Sequence, residues 1–486
     1  LYTQEQQEII HSEASRVRVL AFAGTGKTST LVGYARARPN KRIVYVCYNK
    51  AIQLEAAGKF PTNVTCKTAH SLAFAVYGKR YAHKLGSMRV GDVARLLSLA
   101  YPQAATVQAT LNNFLYSADD DLSDEHLPDA VSQNDRLKRY TILEGASTLW
   151  ASMQDVRNQR VPMSHDGYLK LYGLSRPTIG QGHVLFDEAQ DANGVIAGII
   201  LSHPGPICLT GDRHQSIYRF RGSLDVISEL QGASTYALTR SFRFGDGIAR
   251  VANHLLSYLG EPRRVVGSGH HATSKMRVDR SKPYAYIART NMALLQAAIE
   301  TLEERLPVYY VGGVENARLG LIHDGYHLYR GQHELIEDRF IKQFASLPEL
   351  SEYATAARDA EMALLSKIVL TYADRIPSLL QQLRANAVND IGSAQRILST
   401  AHRSKGLEFD QVILASDYSD LMAGLRPIPI DRMDVQEVNL HYMAATRAME
   451  ALEVGDQLNE FVRYMERERE RDVGHGRESA PEFAKA

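Results

Sequence analysis

Residues Val17 to Leu31 read VRVLAFAGTGKTSTL, and the rest of the chain is organised around what this stretch makes. Val17, Val19 and Leu20 give a short apolar run of strand length. Ala21 to Gly26 supply small residues, and Lys27-Thr28 open a segment that predicts a helix to Arg38, where Pro39-Asn40 stops it. A strand, a tight glycine turn and a helix N-terminus together make an anion site. Free backbone N–H groups and the positive end of the helix dipole both point at whatever sits in the loop. Gly24 and Gly26 let backbone approach phosphate oxygens where a Cβ would collide. Lys27 can neutralise β/γ-phosphates, and the Thr28 hydroxyl suits Mg²⁺. The phosphate-loop pattern asks for Gly at the position of Ala21, so the match is relaxed there. A chance glycine turn in an ordinary loop is the competing reading unless other segments answer to a nucleotide.

Composition narrows the field. At 486 residues the chain is too long for one core, and length alone suggests about three units. Lys+Arg number 56 against 55 Asp+Glu, for a net charge of +1, so any nucleic-acid contact must come from local patches. Cys47, Cys66 and Cys208 are odd in number and lack CxxC spacing, which points to reduced thiols and away from disulfides or zinc. No apolar run approaches membrane-spanning length, and no signal peptide precedes Tyr2. The expected setting is cytoplasmic, or nuclear in a eukaryote, with no membrane partner.

Further along, other segments do answer to a nucleotide. Thr3 is placed to cap a first helix with Gln6 at its third position; the Gln6 carboxamide serves that cap or reads an adenine edge. Ile43 to Cys47 and Val64 to Cys66 read as strands, and residues 79 to 180 as mostly helical. Asp119-Asp120-Asp121 reads as a solvated loop in preference to a metal site. Val184-Leu185-Phe186 is a buried-strand run that delivers Asp187 and Glu188 at its C-terminal end, where a parallel sheet puts its ligand. Asp187 suits Mg²⁺ and Glu188 an attacking water. Pro206 to Thr210 repeats the strand pattern. Glu261 to Pro283 is locally basic and reads as a solvated loop ahead of a DNA contact, and His270-His271 within it lack partners at metal-ligand spacing. A second α/β set follows at Tyr284 to Ala288, Val308 to Gly313, Ile397 to Thr400 and Val412 to Ala415. From Glu466 the Glu/Arg run predicts solvated helix, and Val473 to Ala486 a disordered tail.

The ordered blocks AGTGKT, VLFDEAQD, TGDRHQSIYRFRG, SFR, STAHRSKGLEFD and MAATRA resemble those of the superfamily 1A DNA helicases of the UvrD, Rep and PcrA kind. The likeness is greatest to the helicase portion of the F-box DNA helicases, on QEQQ, AFAGTGKTSTL, CKTAHS, RSFRFG and KGLEFD in order. The blocks span residues 2 to 448. No F-box is evident, so ubiquitin-ligase function is not carried over. The resemblance implies two RecA-like P-loop parallel-sheet domains, each with an inserted, mainly helical subdomain. Domain 1A would take 1–78 and 181–238, with subdomain 1B at 79–180. Domain 2A would take 239–313 and 393–465, with a reduced 2B at 314–392, and 466–486 would be a charged tail.

It also implies roles. Gln6 would read adenine and Phe242 stack on it, while Ala23, Gly24, Thr25, Gly26, Lys27, Thr28 and Ser29 would cradle the phosphates of ATP. Thr28 and Asp187 would hold Mg²⁺, with Glu188 on the water. Gln215 would sense the γ-phosphate, Arg243 and Arg447 would act as arginine fingers, and Gly406 and Glu408 would meet the ribose side. For Arg447 taken alone the alternative is a helix salt bridge, which its place in YxxxTRA after the KGLEF block makes the weaker reading. The single-strand track would be lined by Tyr48, Asn49, Thr68, His70, Tyr218, Phe220, Arg221, Arg289, Thr400 and His402. Phe220 would stack on bases, with a core aromatic as the alternative.

The sequence departs from the family in places. Arg213-His214 replace the pair usual after Gly-Asp, Gln436 stands where a second Glu is common, and Val438-Asn439 stand where two Arg are common. Only about eighty residues separate Gly313 from Ser393, where these helicases carry a far larger 2B domain. The expected activity is ATP-driven 3′–5′ translocation on single-stranded DNA with unwinding, in repair or recombination, acting as a monomer on single strands and junctions. A translocase that strips proteins, a catalytically inactive scaffold and an RNA track are the rivals. A helicase-nuclease is disfavoured, because little chain follows MAATRA.

Overall fold

The computed structural model describes residues 2–47, 50–132, 135–219, 222–268, 275–317, 319–356 and 359–474. The chain divides into two compact units, Leu1–Leu238 and Thr239–Ala486. Among the described residues, no helix is long and apolar enough to cross a membrane.

Unit 1 is built on a six-stranded sheet of β1 (Arg16–Ala21), β2 (Ile43–Cys47), β3 (Val64–Thr68), β4 (His183–Phe186), β5 (Ile207–Gly211) and β6 (Ser234–Leu238). The order is β3-β2-β4-β5-β1-β6, and every pairing is parallel. Helices on both faces explain the near-continuous apolar runs of β2, β4 and β5, whereas polar residues interrupt β1, β3 and β6. Tyr45, Leu185 and Cys208 point to one face with Ile9, Leu31 and Tyr34. Val46, Val184, Phe186 and Leu209 point to the other and share a core with the inserted helices, through Phe114, Leu149 and Tyr168. The helix after the glycine turn spans Lys27–Arg36, ending two residues earlier than its sequence suggests.

The insertion between β3 and β4 carries the helices Tyr101–Tyr116, Arg136–Gln154 and His165–Leu174. Two buried lysines close the C-termini of two of them. Lys84 Nζ donates to the carbonyls of Ser152, Met153 and Asp155 at 3.2, 3.2 and 2.8 Å, where Arg136–Gln154 ends. Lys170 Nζ donates to the carbonyls of Ser117 and Asp119 at 2.8 and 2.6 Å, past the end of Tyr101–Tyr116, and stands 4.0 Å from the Phe114 ring centre. An ammonium at a helix C-terminus satisfies orphan carbonyls and opposes the negative end of the dipole. The Asp119–Asp121 run is therefore only partly the solvated loop expected. The Asp119 carboxylate meets His126 Nε2 at 3.0 Å, and Asp120 pairs with Arg176 at 2.8 Å.

In unit 2, β7 (Arg240–Ser241) pairs with β8 (Val266–Gly267), and β13 (Met422–Ala423) with β14 (Arg426–Pro427). The main sheet holds β9 (Tyr284–Ala288), β10 (Val308–Tyr310), β11 (Arg396–Thr400), β12 (Phe409–Leu414) and β15 (Ala448–Glu453). Its order is β10-β11-β9-β12-β15, parallel throughout. Between β10 and β11 lie the helices Leu319–Tyr329, Leu347–Ala356, Ala360–Tyr372 and Ile376–Ala385, two of which pack on the sheet helix Asn291–Glu303. The last helix, Asp456–Gly474, carries the Glu/Arg run.

The basic segment 261–283 is not the free loop expected. Lys275 forms a bridge along β15, its N–H donating to the Glu450 carbonyl at 2.9 Å and its carbonyl accepting from Leu452 at 3.0 Å. The Asp279 N–H donates to Gln411 Oε1 at 2.8 Å, and Val278 is buried with Tyr284, Ile413 and Ala451. Apolar Val265 and Val278 pull the ends of the segment onto the sheet. His270 and His271 lie outside the described residues.

Burial lowers the Lys170 ammonium to about 8 against the pull of Asp119 and Asp120. A lysine depressed in the folded state binds fewer protons there than in the unfolded chain, so its contribution to stability grows as pH rises from 8 towards 10.5. Lys170→Met leaves two carbonyls without their donor and should cost about 2–4 kcal/mol. Thermal melts of both proteins should show a gap that widens between pH 8 and 10, and a constant gap would contradict the buried-ammonium account.

Candidate nucleotide site and nucleic-acid track

The parallel sheet of unit 1 sends β1 and β4 to the same edge, and the two turns that follow them meet there. After β1 the chain takes left-handed backbone at Gly24 (φ 73°) and Gly26 (φ 77°), conformations that cost a side-chain-bearing residue about 1–2 kcal/mol each. Gly26 caps the helix Lys27–Arg36 without a side chain, so the first N–H groups stay turned to the loop. The buried Thr25 hydroxyl donates to the Phe22 carbonyl at 2.8 Å and pins the turn, while Ala23 is buried and Ser29 lies in the first helical turn.

After β4, Asp187 and Glu188 face this loop. The Thr28 hydroxyl donates to Asp187 Oδ2 at 2.9 Å, and Lys27 Nζ stands 3.6 Å from Glu188 Oε1. The Tyr45 hydroxyl, fully buried on β2, donates to Asp187 Oδ2 at 3.0 Å, and the Glu188 N–H donates to Asp187 Oδ1 at 2.9 Å. Burial raises the Asp187 carboxyl to about 6, with Glu188 adding to the rise; Lys27, Thr28 and Tyr45 oppose it. A hydroxyl and a buried carboxylate at hydrogen-bond distance, beside a glycine turn at a helix N-terminus, is a donor set that fits a divalent cation next to a phosphate chain. Glu188 itself has φ 55°. Left-handed backbone on a non-glycine residue is strain held by its surroundings. Gln215 is buried after β5, its Nε2 donating to Asp212 Oδ2 at 2.7 Å.

Gln6 is buried and its Oε1 accepts the Thr3 N–H at 3.0 Å, with the Thr3 hydroxyl accepting the Gln6 N–H at 3.3 Å. The cap therefore uses the carbonyl end of the carboxamide.

In unit 2 the candidate residues gather around two arginines. Arg243 donates through Nε and Nη2 to Glu408 Oε1 at 2.9 and 2.6 Å, and through Nη1 to the Thr446 carbonyl at 2.8 Å. The separate roles expected for Arg243 and Glu408 thus begin from one ion pair. Arg447 is buried, with Nε on the Met443 carbonyl at 2.9 Å and Nη1 on the Leu407 carbonyl at 3.2 Å. Gly406 turns at φ 86° just before this pair, and Phe242 is 43% exposed beside Arg243.

The expected nucleic-acid track is met unevenly. Thr68 is buried, and its hydroxyl caps the helix Ala69–Val76 by accepting the Ser71 N–H at 3.0 Å; Thr400 is buried at the end of β11. The Thr68 hydroxyl is taken by that cap, whereas Thr400, which also ends a strand and opens a helix, makes no side-chain cap bond. His70 is half-buried, with Nε2 3.3 Å from Asp166 Oδ1 and its ring edge-on to His165 and Tyr168. Tyr218 and His402 are half-buried. Arg289 is held by Glu437 through Nε at 3.2 and 3.1 Å and Nη2 at 2.8 Å, so its fork is already occupied. Burial pushes the Glu437 carboxyl up, but the Arg289 and Ser419 bonds outweigh it, and the net shift is downward. Tyr48, Asn49, Phe220 and Arg221 lie outside the described residues.

Sequence reading passed over Tyr45, Gln190, Asp212 and Glu437. Tyr45 is an aromatic in a strand run, a pattern indistinguishable from core. Gln190, two residues after Glu188, was the one with a positional signal. Tyr45→Phe removes a donor to an ionised buried carboxylate and should cost about 1–2 kcal/mol. Asp187 is ionised above about 6, so the loss should grow as pH rises through that value. Melting curves of both proteins without divalent cation, at pH 5 and pH 8, check this.

Comparison with known proteins agrees with this geometry. The UvrD/REP helicase N-terminal domain matches residues 181–232, and the UvrD-like helicase C-terminal domain matches residues 270–455. The chain is 32% identical to F-box DNA helicase 1 of Gallus gallus, over 95% of this chain and 49% of that protein. It is 31% identical to F-box DNA helicase protein 1 of Schizosaccharomyces pombe, over 94% of this chain and 58% of that protein. ATP-dependent DNA helicase UvrD1 of Mycobacterium tuberculosis is 25% identical over 53% of this chain and 39% of its own length. The chain spans about half the length of the F-box helicases it matches. With a phosphate loop facing an Asp-Glu pair in unit 1 and the arginines Arg243 and Arg447 in unit 2, this chain carries the UvrD-like helicase N- and C-terminal domains.

Proposed function

We propose that the chain is an ATP-hydrolysing motor that translocates on single-stranded DNA and separates duplex. The carrying observation is the convergence of Lys27, Thr28, Asp187 and Glu188 at one edge of a parallel sheet, with Thr28 at 2.9 Å from Asp187 and Lys27 at 3.6 Å from Glu188. Phosphoryl transfer asks mainly for positioning and for charge on the phosphate oxygens. The loop N–H groups from Gly24 to Ser29 and the Lys27 ammonium hold the β- and γ-phosphates. A Mg²⁺ ion held by Thr28 and Asp187 would neutralise charge between those phosphates. Glu188 orients the attacking water and takes its proton. Arg243 and Arg447 stabilise the charge that develops on the transferred group, and Phe242 stacks on the base. Planar, permanently charged forks suit that task.

His70, Tyr218, Phe220, Arg221, Arg289 and His402 form the single-strand track in this reading. Arg289 would exchange the Glu437 carboxylate for a backbone phosphate, since the same fork fits both. Movement 3′ to 5′, action on junctions as a monomer and a place in repair or recombination follow from likeness to the family, and the names of the F-box DNA helicases support DNA as the substrate. The decisive experiment is the ATPase rate with and without single-stranded DNA or RNA, followed by unwinding of duplexes tailed at either end. No nucleotide turnover with any strand would overturn the reading.

Two substitutions sharpen it. Lys27→Ala should abolish turnover and unwinding while the folded protein still binds single strands, and substantial residual turnover would sink the phosphate-loop assignment. Arg447→Ala should lower turnover by about 10³-fold or more with little change in ATP affinity, because a finger acts on the transition state. Collapsed nucleotide affinity with normal turnover per bound ATP would refute that role.

A further inference from the structure

The side chain of Gln190 joins two parts of unit 1 that the proposed reaction uses separately. Its Nε2 donates to Glu188 Oε2, and its Oε1 accepts the Asp212 N–H at 3.1 Å. The Ser216 hydroxyl donates to the Gln190 backbone carbonyl at 3.3 Å. Asp212 is fully buried, and its carboxylate accepts the His214 N–H at 3.1 Å and Gln215 Nε2 at 2.7 Å. A continuous hydrogen-bonded line therefore runs from Glu188 through Gln190 and Asp212 to Gln215, three residues before Tyr218. Gly211 makes room for it, since a Cβ there would stand 2.4 Å from Gln190 Oε1.

Through the Gln190 amide this line bears on the direction of the Glu188 carboxylate. Glu188 holds left-handed backbone at φ 55°, and Lys27 Nζ at 3.6 Å from Oε1 is beyond good hydrogen-bond length, supplying charge with little direction. The Gln190 amide supplies direction, and it is itself oriented by the Asp212 N–H. A displacement of the 212–219 segment by a few tenths of an ångström must rotate the amide or break one of its two bonds.

We propose that Gln190 is a positioning residue that sets the Glu188 carboxylate according to the state of the 212–219 segment, so that nucleic acid on that segment regulates ATP hydrolysis. This rests on the reading of the chain as a single-strand-stimulated ATPase.

Gln190→Glu keeps the length of the side chain and an acceptor for Asp212, but sets a second carboxylate against Glu188. A carboxylate has no N–H to give Glu188, so the line is broken at that bond. Stimulated kcat at pH 7 should fall about 10-fold or more. The ratio of stimulated to basal rate should fall too, while affinity for a fluorescent ATP analogue changes by less than about 3-fold, because no phosphate ligand is touched. Gln190→Met fills the same space without either bond and should lose stimulation as well. A residue that merely packs over Gly211 would lower the melting temperature of both variants and leave the ratio where it was. That result overturns the proposal. If Gln190→Glu does not fold, Gln190→Met decides alone: a lost ratio supports the proposal and a wild-type ratio overturns it. A wild-type protein with no ATPase overturns the functional reading and this proposal together. A stimulated wild type matched by its variants overturns this proposal only.

Discussion

A parallel sheet carries all its strand C-termini to one edge, and both units depend on that constraint. In unit 1 it places the turn after β1 against the acids after β4, although about 160 residues of chain separate Thr28 from Asp187. The 2.9 Å hydrogen bond between them records the meeting. The helical insertion can be long because it leaves from β3 and returns at β4, adding core on one face without disturbing that edge. In unit 2 the same rule brings Arg289 after β9, Thr400 at the end of β11 and Asp417 after β12 to one rim. There the Asp417 carboxylate accepts the N–H groups of Arg289 and Thr290 at 2.9 and 2.7 Å.

The second theme is the pairing of arginine with carboxylate. Arg243 rests on Glu408 and Arg289 on Glu437, each through more than one N–H. A guanidinium presents the same fork to a carboxylate as to a phosphate, so each acid resembles, in shape and charge, the group its arginine would meet in the proposed reaction. Such pairs keep the forks extended and aimed. They also set a threshold: an incoming phosphate must displace a partner that is already hydrogen-bonded.

What could be read from the sequence and what could not divide along physical lines. The glycine turn, the strand before Asp187 and the second set of strands were legible because each is contiguous and carries its own period or turn residues. The Thr3–Gln6 cap was legible for the same reason. Contacts between side chains far apart in the chain were not. Nothing local distinguishes Tyr45 on β2 from a core aromatic, yet its hydroxyl ends on Asp187. Glu437 looked like one more helix acid until Arg289 folded against it. Basic residues made 261–283 resemble a free loop, because charge counts weigh six cations more heavily than two buried valines. Helix ends shifted by a residue or two where the last turn frays, as at Arg36.

The two lysines that close helix ends in the insertion have a chemical consequence. An amine must be both deprotonated and reachable to react with an acylating reagent, and Lys84 and Lys170 are buried against carbonyls that occupy their protons. Exposed lysines such as Lys59 and Lys138 meet the reagent directly. Acylation of the two buried amines therefore requires the insertion to open locally. Their labelling rate, read residue by residue in a mass spectrum, is a built-in clock for the breathing of that insertion.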